Sequence, residues 1–426
     1  MRSPNRDNAY NVFIVNASGN VNNNNANNGN RVAPDFGGCT GIESLRAALA
    51  ALPAVERSRA PGLERAEPQG GDAPASRGAG AISVACGPFS FDALWDSMML
   101  CRRGVMWKPS VSSFVLNGPQ NISKLADDVA SGRYRQKPVR SFQITSPKRR
   151  DIVAVPFRDR VYQRSLNDNV VFPVMSRSWI YDNCASQPGK GTDFARDRLK
   201  RFLREHYARH GHEGWCLQID IAGYYPNMPH STGKAPFERK LDARYAAKVA
   251  EVLDYQYEGD TGYNAGSQMV QIMGLSVLDP VDHMVKERLR IRHYVRYMDD
   301  MVLVSHDREE LEHALAEIRE RCERLGLKLH PKKTHIRPLS AGIEFLGFRF
   351  RLTATGKVVM SVLGQKVKQQ KRHLKGLVRL AKKGGITKEK CDECYRGWKA
   401  HAAKGDSWKL LKRMDAYYES LWKESS

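Results

Sequence analysis

The chain has 426 residues, of which 41% are hydrophobic, so a sizeable core divided among two or three domains is expected. Lys and Arg number 68 against 46 acidic residues, and the net charge of +22 favours nucleic acid as a partner over the alternative of a merely soluble basic protein. No run approaches the roughly 18 apolar residues of a membrane span, and eight cysteines are too sparse for a disulfide framework, which predicts a cytoplasmic protein without a membrane partner.

Two segments of unusual composition come first in the chain. Residues 1–36 are rich in Asn, with the run NVNNNNANNGN at 20–30, and residues 37–80 are mainly Ala, Gly, Pro and Arg without periodicity. Neither composition can build a packed core. Residues 1–80 are therefore predicted to be a disordered N-terminal extension that ends in a flexible linker.

A globular body is predicted from about residue 88 onward, and acidic residues mark two of its strands. The apolar strand WCLQI ends at Asp220, and the stretch HYVRYMDDMVLVS at 293–305 predicts a hairpin with Asp299 and Asp300 at its turn. Adjacent buried carboxylates repel each other unless a cation is present, although a plain surface turn is the alternative. Three carboxylates from separate strands fit a site for two metal ions about 3.5–4 Å apart.

Helices are predicted on the C-terminal side of this hairpin. The stretch HDREELEHALAEIRERCERLGL at 306–327 has an apolar stripe that includes Leu311, Ile318 and Cys322, with Asp307 as the N-cap and Glu310 three residues later. The extended stretch at 336–355 follows, and the chain then becomes helical and very basic from about residue 362. A zinc site at Cys391, Cys394 and His401 is the alternative to their being ordinary helix residues.

Four short motifs occur in the order of the reverse transcriptase family. The stretches DIAGYY at 220–225, YMDD at 297–300, LHPKKT at 329–334 and FLGF at 345–348 resemble motifs A, C, D and E. Upstream, PKRRDIVAVPFRDRVYQ at 147–163 resembles the fingers of that family, and YDNCASQPGKGTDFARDRL at 181–199 resembles the segment before its palm. The resemblance covers about residues 88–426. It implies an α+β right-hand polymerase with fingers at 81–214, a palm with an antiparallel sheet at 215–350, and a helical basic thumb at 351–426.

The resemblance also implies a role for individual residues. The implied catalytic residues are Asp220, Asp299, Asp300 and Lys333, the last as a general acid near the leaving pyrophosphate. The implied metal ligands are Asp220, Ile221, Asp299 and Asp300, which would hold two Mg²⁺ ions, with Mn²⁺ as an alternative. The implied nucleotide-binding residues are Lys148, Arg150, Tyr225, Gly266 and Gln271. The implied primer grip is Phe345, Leu346 and Gly347.

Tyr225 bears on the choice of sugar. An aromatic ring beneath the ribose would clash with a 2′-hydroxyl and so select deoxynucleotides, whereas RNA-dependent RNA polymerases typically carry Asp at this position. Simple core packing of Tyr225 is the alternative. The sequence therefore indicates synthesis of DNA.

The stretch around motif B departs from the commonest pattern of the family. Many members read Gln-Gly, three residues, then Ser-Pro, whereas this chain has Ala265-Gly266, three residues, then Val270-Gln271. Gln at the last position is similar to the reverse transcriptases of diversity-generating retroelements, although those usually have Ser before it. Because this motif senses base-pair geometry, the departure predicts error-prone copying.

The Asn-rich front supports the same subtype at the level of the gene. Asn codons are AAC or AAT, so residues 1–36 are encoded by adenine-rich sequence that resembles the translated template repeat of such a retroelement. Plain low complexity is the alternative.

The sequence thus predicts an RNA-directed DNA polymerase. Its partners would be a template RNA, the RNA/DNA duplex and deoxynucleoside triphosphates, with a small accessory protein as a candidate. The open alternatives are a phage-defence reverse transcriptase, a group II intron maturase and an inactive RNA-binding scaffold. No maturase or endonuclease extension is evident after the thumb, which disfavours the maturase.

Overall fold

A computed structural model of the chain describes residues 87–144, 150–264 and 267–423, together with two short strands, β1 (Ile14–Val15) and β2 (Val21–Asn22), which pair antiparallel. Apart from these two strands, the predicted extension and linker at 1–80 lie outside the described residues. All described residues belong to one unit, made of residues 1–27 and 86–426. No described helix is both long and apolar enough to cross a membrane.

The part of the body that precedes the palm is mainly helical. Its first helix begins at a Ser90 cap, whose hydroxyl accepts a hydrogen bond from the backbone N–H of Ala93 at 3.3 Å. The helices are α1 (Phe91–Cys101), α2 (Pro109–Leu116), α3 (Gly118–Ala130), α4 (Phe157–Leu166), α5 (Phe172–Met175) and α6 (Thr192–His210). A hairpin of β3 (Arg140–Ile144) and β4 (Arg150–Ala154) lies between α3 and α4.

The palm is built on a four-stranded antiparallel sheet with the order β6-β7-β5-β8. Its strands are β5 (Trp215–Ile219), β6 (His293–Tyr297), β7 (Asp300–Ser305) and β8 (His335–Pro338). The register pairs Ile219 with Met301 and Tyr297 with Asp300. All five residues of β6 and the last five of β7 are buried, including the polar or charged His293, Arg296 and Ser305. The acidic ends of these strands therefore meet at one edge of a well-packed sheet.

Five helices accompany this sheet, and the last of them was predicted from its apolar stripe. They are α7 (His230–Lys240), α8 (Ala243–Gln256), α9 (Gln268–Val277), α10 (Asp279–His283) and α11 (Arg308–Arg324). Helix α11 buries Leu311, Ile318 and Cys322 and packs on β5 and β7, so the prediction is confirmed. Its Asp307 cap accepts from the N–H of Glu309 at 2.9 Å. Glu310 accepts from the hydroxyl of Ser305, a bond outside the expected cap.

The C-terminal part combines a small sheet with three helices. The sheet has the order β11-β10-β9, and β10 crosses the predicted palm–thumb boundary at residue 350. Its strands are β9 (Ile343–Phe345), β10 (Phe348–Leu352) and β11 (Val358–Val362). The helices are α12 (Gly364–Lys382), α13 (Lys388–Ala402) and α14 (Trp408–Lys423). Cys391 is buried among them with Leu374, Tyr395 and Met414, so this thiol is a core residue.

Candidate active site

The two adjacent carboxylates lie at the tip of the hairpin formed by β6 and β7. Because Tyr297 pairs with Asp300, only Met298 and Asp299 make the turn. Met298 has a φ of +56°, in the left-handed region that residues other than glycine rarely adopt. Such a conformation persists only where surrounding contacts hold it. The predicted hairpin with Asp299 and Asp300 at its tip is confirmed.

Asp220 directly follows β5 and lies at the same edge of the sheet, because Ile219 pairs with Met301. Burial raises the pKa of Asp299 to about 6, and repulsion from Asp220 contributes to the shift. Burial likewise raises the pKa of Asp300 to about 7, with repulsion from Asp299 and Asp220. The three carboxylates are therefore close enough to disfavour one another's charge, which is the electrostatic condition that a bound cation relieves.

Lys333 is the cation that contacts Asp220 in this structure. Its ammonium group donates to both carboxylate oxygens of Asp220, at 2.8 and 2.9 Å, and this bond raises the pKa of Lys333. The backbone N–H of His330 also donates to the carbonyl of Asp220 at 2.7 Å. The loop before β8 thus wraps around the end of β5. It brings Lys333 into contact with Asp220.

The donor set fits a divalent cation by its chemistry. Carboxylate oxygens from Asp220, Asp299 and Asp300 are the ligands that Mg²⁺ prefers. The side chain of Ile221 is buried and apolar, so this residue could contribute only its backbone carbonyl. Within the described residues, no three His, Cys, Asp or Glu side chains are gathered closely enough to hold an ion as they stand. Both carboxylate oxygens of Asp220 accept hydrogen bonds from Lys333, so Lys333 and a divalent ion would compete for this ligand.

Tyr225 lies between the turn and α9. Its hydroxyl is 3.6 Å from Sδ of Met298, and a Cβ added at Gly274 would come within 2.6 Å of the same hydroxyl. The neighbouring Tyr224 donates to the carbonyl of Gly274 at 2.5 Å. The partly buried ring of Tyr225 therefore lies directly beside the Met298–Asp299 turn, and its close approach to α9 requires glycine at position 274.

The other predicted nucleotide-binding residues are described only in part. Gln271 is buried on α9, and its side-chain oxygen accepts from the hydroxyl of Ser186 at 3.1 Å. Arg150 begins β4, but its side chain is outside the described part of the chain, as are Lys148 and Gly266. The structure thus connects Gln271 to the loop that follows α5 and gives no position for the triphosphate contacts.

The predicted primer grip forms a tight turn between β9 and β10. Phe345 pairs with Phe348, so Leu346 and Gly347 make a two-residue turn with φ values of +47° and +86°. Positive φ at both positions is the conformation that two-residue hairpin turns favour, and it explains the glycine. A Cβ on Gly347 would lie 3.7 Å from Nε2 of His401 on α13. The turn is therefore set against the C-terminal helices.

Comparison with protein families identifies the region that contains these elements. Residues 139–350 match the family model described as reverse transcriptase (RNA-dependent DNA polymerase). The chain contains a reverse transcriptase domain. This domain includes the three carboxylates, Lys333 and the whole palm sheet, so the predicted right-hand polymerase fold is confirmed.

Two telomerases are among the solved structures that are similar to this chain. One is telomerase from Candida albicans in complex with a fragment of telomeric RNA, with 13% identity and a TM-score of 0.42 over 68% of this chain. The other is apo telomerase from Candida tropicalis truncated from its C-terminal domain, with 12% identity and a TM-score of 0.35 over 52% of this chain. The chain spans 56% and 57% of these two proteins. No curated protein matches its sequence at a significant level.

Sequence reasoning missed two features of the reverse transcriptase domain. Gly274 is needed for the approach of Tyr225, and only the packing of α9 shows this. Arg296 is fully buried near the end of β6, two residues before Met298 of the turn. A charged residue inside an otherwise apolar strand was the available signal, because such a residue is almost never fully buried unless paired.

Proposed function

We propose that this chain is an RNA-directed DNA polymerase that copies an RNA template from deoxynucleoside triphosphates with two Mg²⁺ ions. The observation that carries the proposal is the meeting of Asp220, Asp299 and Asp300 at one edge of the palm sheet within the reverse transcriptase domain. An inactive scaffold is disfavoured because it would have no need for three mutually repelling carboxylates.

Each residue of the site has a task in this proposal. Asp220, Asp299 and Asp300 would hold the ions, with the carbonyl of Ile221 beside them. The chemistry supplied by bound Mg²⁺ is activation of the primer 3′-hydroxyl and neutralisation of charge on the triphosphate. Lys333, whose ammonium group contacts Asp220, would give a proton to the leaving pyrophosphate. Tyr225 closes the space beneath the sugar and excludes a 2′-hydroxyl.

The test is DNA synthesis by the purified chain on a primed RNA. Asp299→Ala should abolish Mg²⁺-dependent incorporation while the protein stays folded, as judged by its thermal unfolding. Glu312→Gln is the matched control, because it removes an exposed carboxylate of α11 that pairs only with Arg308. Near-wild-type synthesis by a folded Asp299→Ala variant would remove this residue from the catalytic role.

We also infer that the enzyme serves a diversity-generating retroelement. Support comes from Val270-Gln271 in motif B and from the Asn-rich stretch at 1–36; Gln271 is buried on α9, the helix whose Gly274 contacts Tyr225. Sequencing of the DNA product tests this subtype. Errors concentrated at template adenines are expected, whereas errors spread evenly over the four template bases favour the phage-defence alternative.

A further inference from the structure

Arg296 makes an unusually complete set of hydrogen bonds beneath the catalytic turn. Its guanidinium donates to both carboxylate oxygens of Asp282, from Nε at 2.7 Å and from Nη2 at 2.5 Å. Nη2 also donates to the carbonyl of Leu275 at 3.0 Å, and Nη1 donates to the carbonyl of Met298 at 2.9 Å. One side chain therefore joins α10, the end of α9 and the first residue of the turn.

The pair at the centre of this network is completely buried. Arg296 and Asp282 are each 0% exposed, and the hydroxyl of Tyr294 donates to Asp282 at 2.7 Å. A buried charge must be compensated by an opposite charge, and the bidentate bond between Arg296 and Asp282 already provides this compensation. The bond to Met298 is additional. It directs one N–H group of the planar, pre-organised guanidinium at the backbone of the turn.

The backbone of Arg296 is held from the outer edge of β6 as well. Its N–H donates to the carbonyl of Asp182 at 3.0 Å, and its carbonyl accepts from the N–H of Cys184 at 2.9 Å. On the opposite side, β6 pairs with β7, where Arg296 faces Met301. The residue that contacts the turn is thus fixed through both its backbone and its side chain.

We infer that Arg296, oriented by Asp282, is a positioning residue that holds the Met298–Asp299 turn in the geometry needed for metal binding. Met298 has a positive φ, so the turn requires an external contact to keep its shape, and the bond from Arg296 supplies one. Fixing the Met298 carbonyl fixes the next peptide, from which the Asp299 side chain projects. The inference rests on the proposed function, because it assigns the turn to catalysis.

Two variants and one control test the inference. Arg296→Lys keeps a cation for Asp282. It lacks the planar guanidinium that can bond to Asp282 and to the carbonyl of Met298 at the same time. The double variant Arg296→Met with Asp282→Leu removes both charges and leaves no buried ion unpaired. The matched control is Lys240→Met with Asp279→Leu, which removes another largely buried ion pair, at 2.8 Å, that involves α10 but does not contact the turn.

Thermal unfolding, its shift by Mg²⁺, and the kcat and KM for deoxynucleotides are measured for each protein. Both Arg296 variants should lose about a hundredfold in kcat, as a misplacement of ~1 Å can cause, with little change in KM. Their Mg²⁺-induced shift in unfolding temperature should shrink and their activation should need more Mg²⁺, while the control behaves as wild type. A folded Arg296 variant with wild-type kcat and Mg²⁺ response would overturn the inference, and so would equal losses in the control.

These measurements also separate the inference from the proposed function. A wild-type protein that makes no DNA would reject the proposed function by itself. The Mg²⁺-induced shift in unfolding temperature does not depend on turnover. A shift that is equal in the wild type and both Arg296 variants would then overturn the positioning role.

Discussion

At the residue scale, the site consists of three carboxylates and one ammonium group near the ends of the neighbouring strands β5 and β7. Burial and repulsion raise the pKa of Asp299 to about 6 and that of Asp300 to about 7, while both carboxylate oxygens of Asp220 accept hydrogen bonds from Lys333. A cation bound to the three carboxylates would relieve the same repulsion. Lys333 and a divalent ion should therefore compete for Asp220.

The first prediction concerns the pH dependence of stability. The folded pKa values of Asp299 and Asp300 lie above the ordinary Asp value of about 3.9, so the metal-free folded protein binds more protons than the unfolded chain. The contribution of these residues to stability therefore falls as the pH rises from about 4 to about 7. Because Mg²⁺ binds the ionised carboxylates, its effect on the unfolding temperature should grow over the same range.

Thermal unfolding with and without Mg²⁺ at about pH 5.5 and about pH 8 measures this effect. Asp300→Asn should weaken both the pH dependence and the Mg²⁺-induced shift, and Glu312→Gln should leave them as in wild type. A Mg²⁺-induced shift that is larger at the lower pH would contradict the assignment of these carboxylates as metal ligands.

A second prediction at this scale concerns Tyr225. Tyr225→Ala should admit ribonucleotides, lowering the discrimination against them about tenfold or more, because the ring that stands beside the turn is gone. Tyr225→Phe is the matched control, since it keeps the ring and removes only the hydroxyl. The ratio of kcat/KM for deoxy- and ribonucleotides decides the question. An unchanged ratio in a folded Tyr225→Ala protein would make the ring a core residue and not a sugar gate.

At the scale of elements, helix α12 presents most of its cations to solvent. It buries only Leu374 and Val378, so its inner stripe is narrow. Its exposed basic residues include Lys366, Lys368, Lys371, Arg372 and Lys375. Lys371 also lies 4.7 Å from the ring centroid of Tyr417 on α14, which leaves the others as the simpler positions to change. A basic face at the start of the thumb is the element best suited to contact phosphates, although a solvated helix face is the alternative.

The salt dependence of RNA binding separates these two interpretations. Lys368→Glu with Lys375→Glu should weaken binding and reduce the slope of log affinity against log salt by roughly 0.7–0.9 for each phosphate that the helix no longer neutralises. Arg319→Glu with Arg321→Glu on α11 is a control with the same change in charge. An unaltered slope in the α12 variant, or the same change in both variants, would reject α12 as a phosphate-binding element.

At the scale of the whole molecule, the described body has a well-defined first contact. Phe89 stacks on Tyr162 with ring centroids 4.7 Å apart, the carbonyl of Pro88 accepts from the hydroxyl of Ser165, and Ser90 caps α1. The contacts of Phe89 and Pro88 join the beginning of the body to α4, and the Ser90 cap stabilises the start of α1. Every one of them lies on the C-terminal side of residue 87.

A protein that starts at Ala81 should therefore synthesise DNA normally on an added primed RNA. Residues 1–36 have no periodic apolar face, a linker rich in Gly and Pro follows them, and the cut leaves the contacts of Phe89 and Ser90 intact. A protein that starts at Phe91 is the control and should be less stable, because it lacks the stacked ring and the helix cap; removal of a cap alone costs about 1 kcal/mol. Activity and unfolding temperature are compared for the three lengths. Strong loss of synthesis on truncation at Ala81 would show that the first 80 residues form a working part of the enzyme.

The sequence by itself determined those structural features that depend only on short stretches of the chain. The apolar runs before Asp220 and after Asp300, the stripe and cap of α11, and the glycine of the Leu346-Gly347 turn are local patterns with local physical causes. The order of the motifs along the chain then indicated that these local elements belong to a polymerase palm. These predictions needed only the period of side chains along a strand or helix and the conformational freedom of glycine.

Only the tertiary structure decided which side chains touch. Lys333 reaches Asp220 across 113 residues of chain because β8 pairs with β5, and the Arg296 side chain bonds to Asp282 on α10 and to the carbonyl of Leu275 on α9. Strand pairing and helix packing bring together residues that are far apart in the sequence. Their positions in the sequence alone therefore do not predict which of them are in contact. A buried charge in a strand predicts that a partner exists, but only the packed sheet and helices show which one it is.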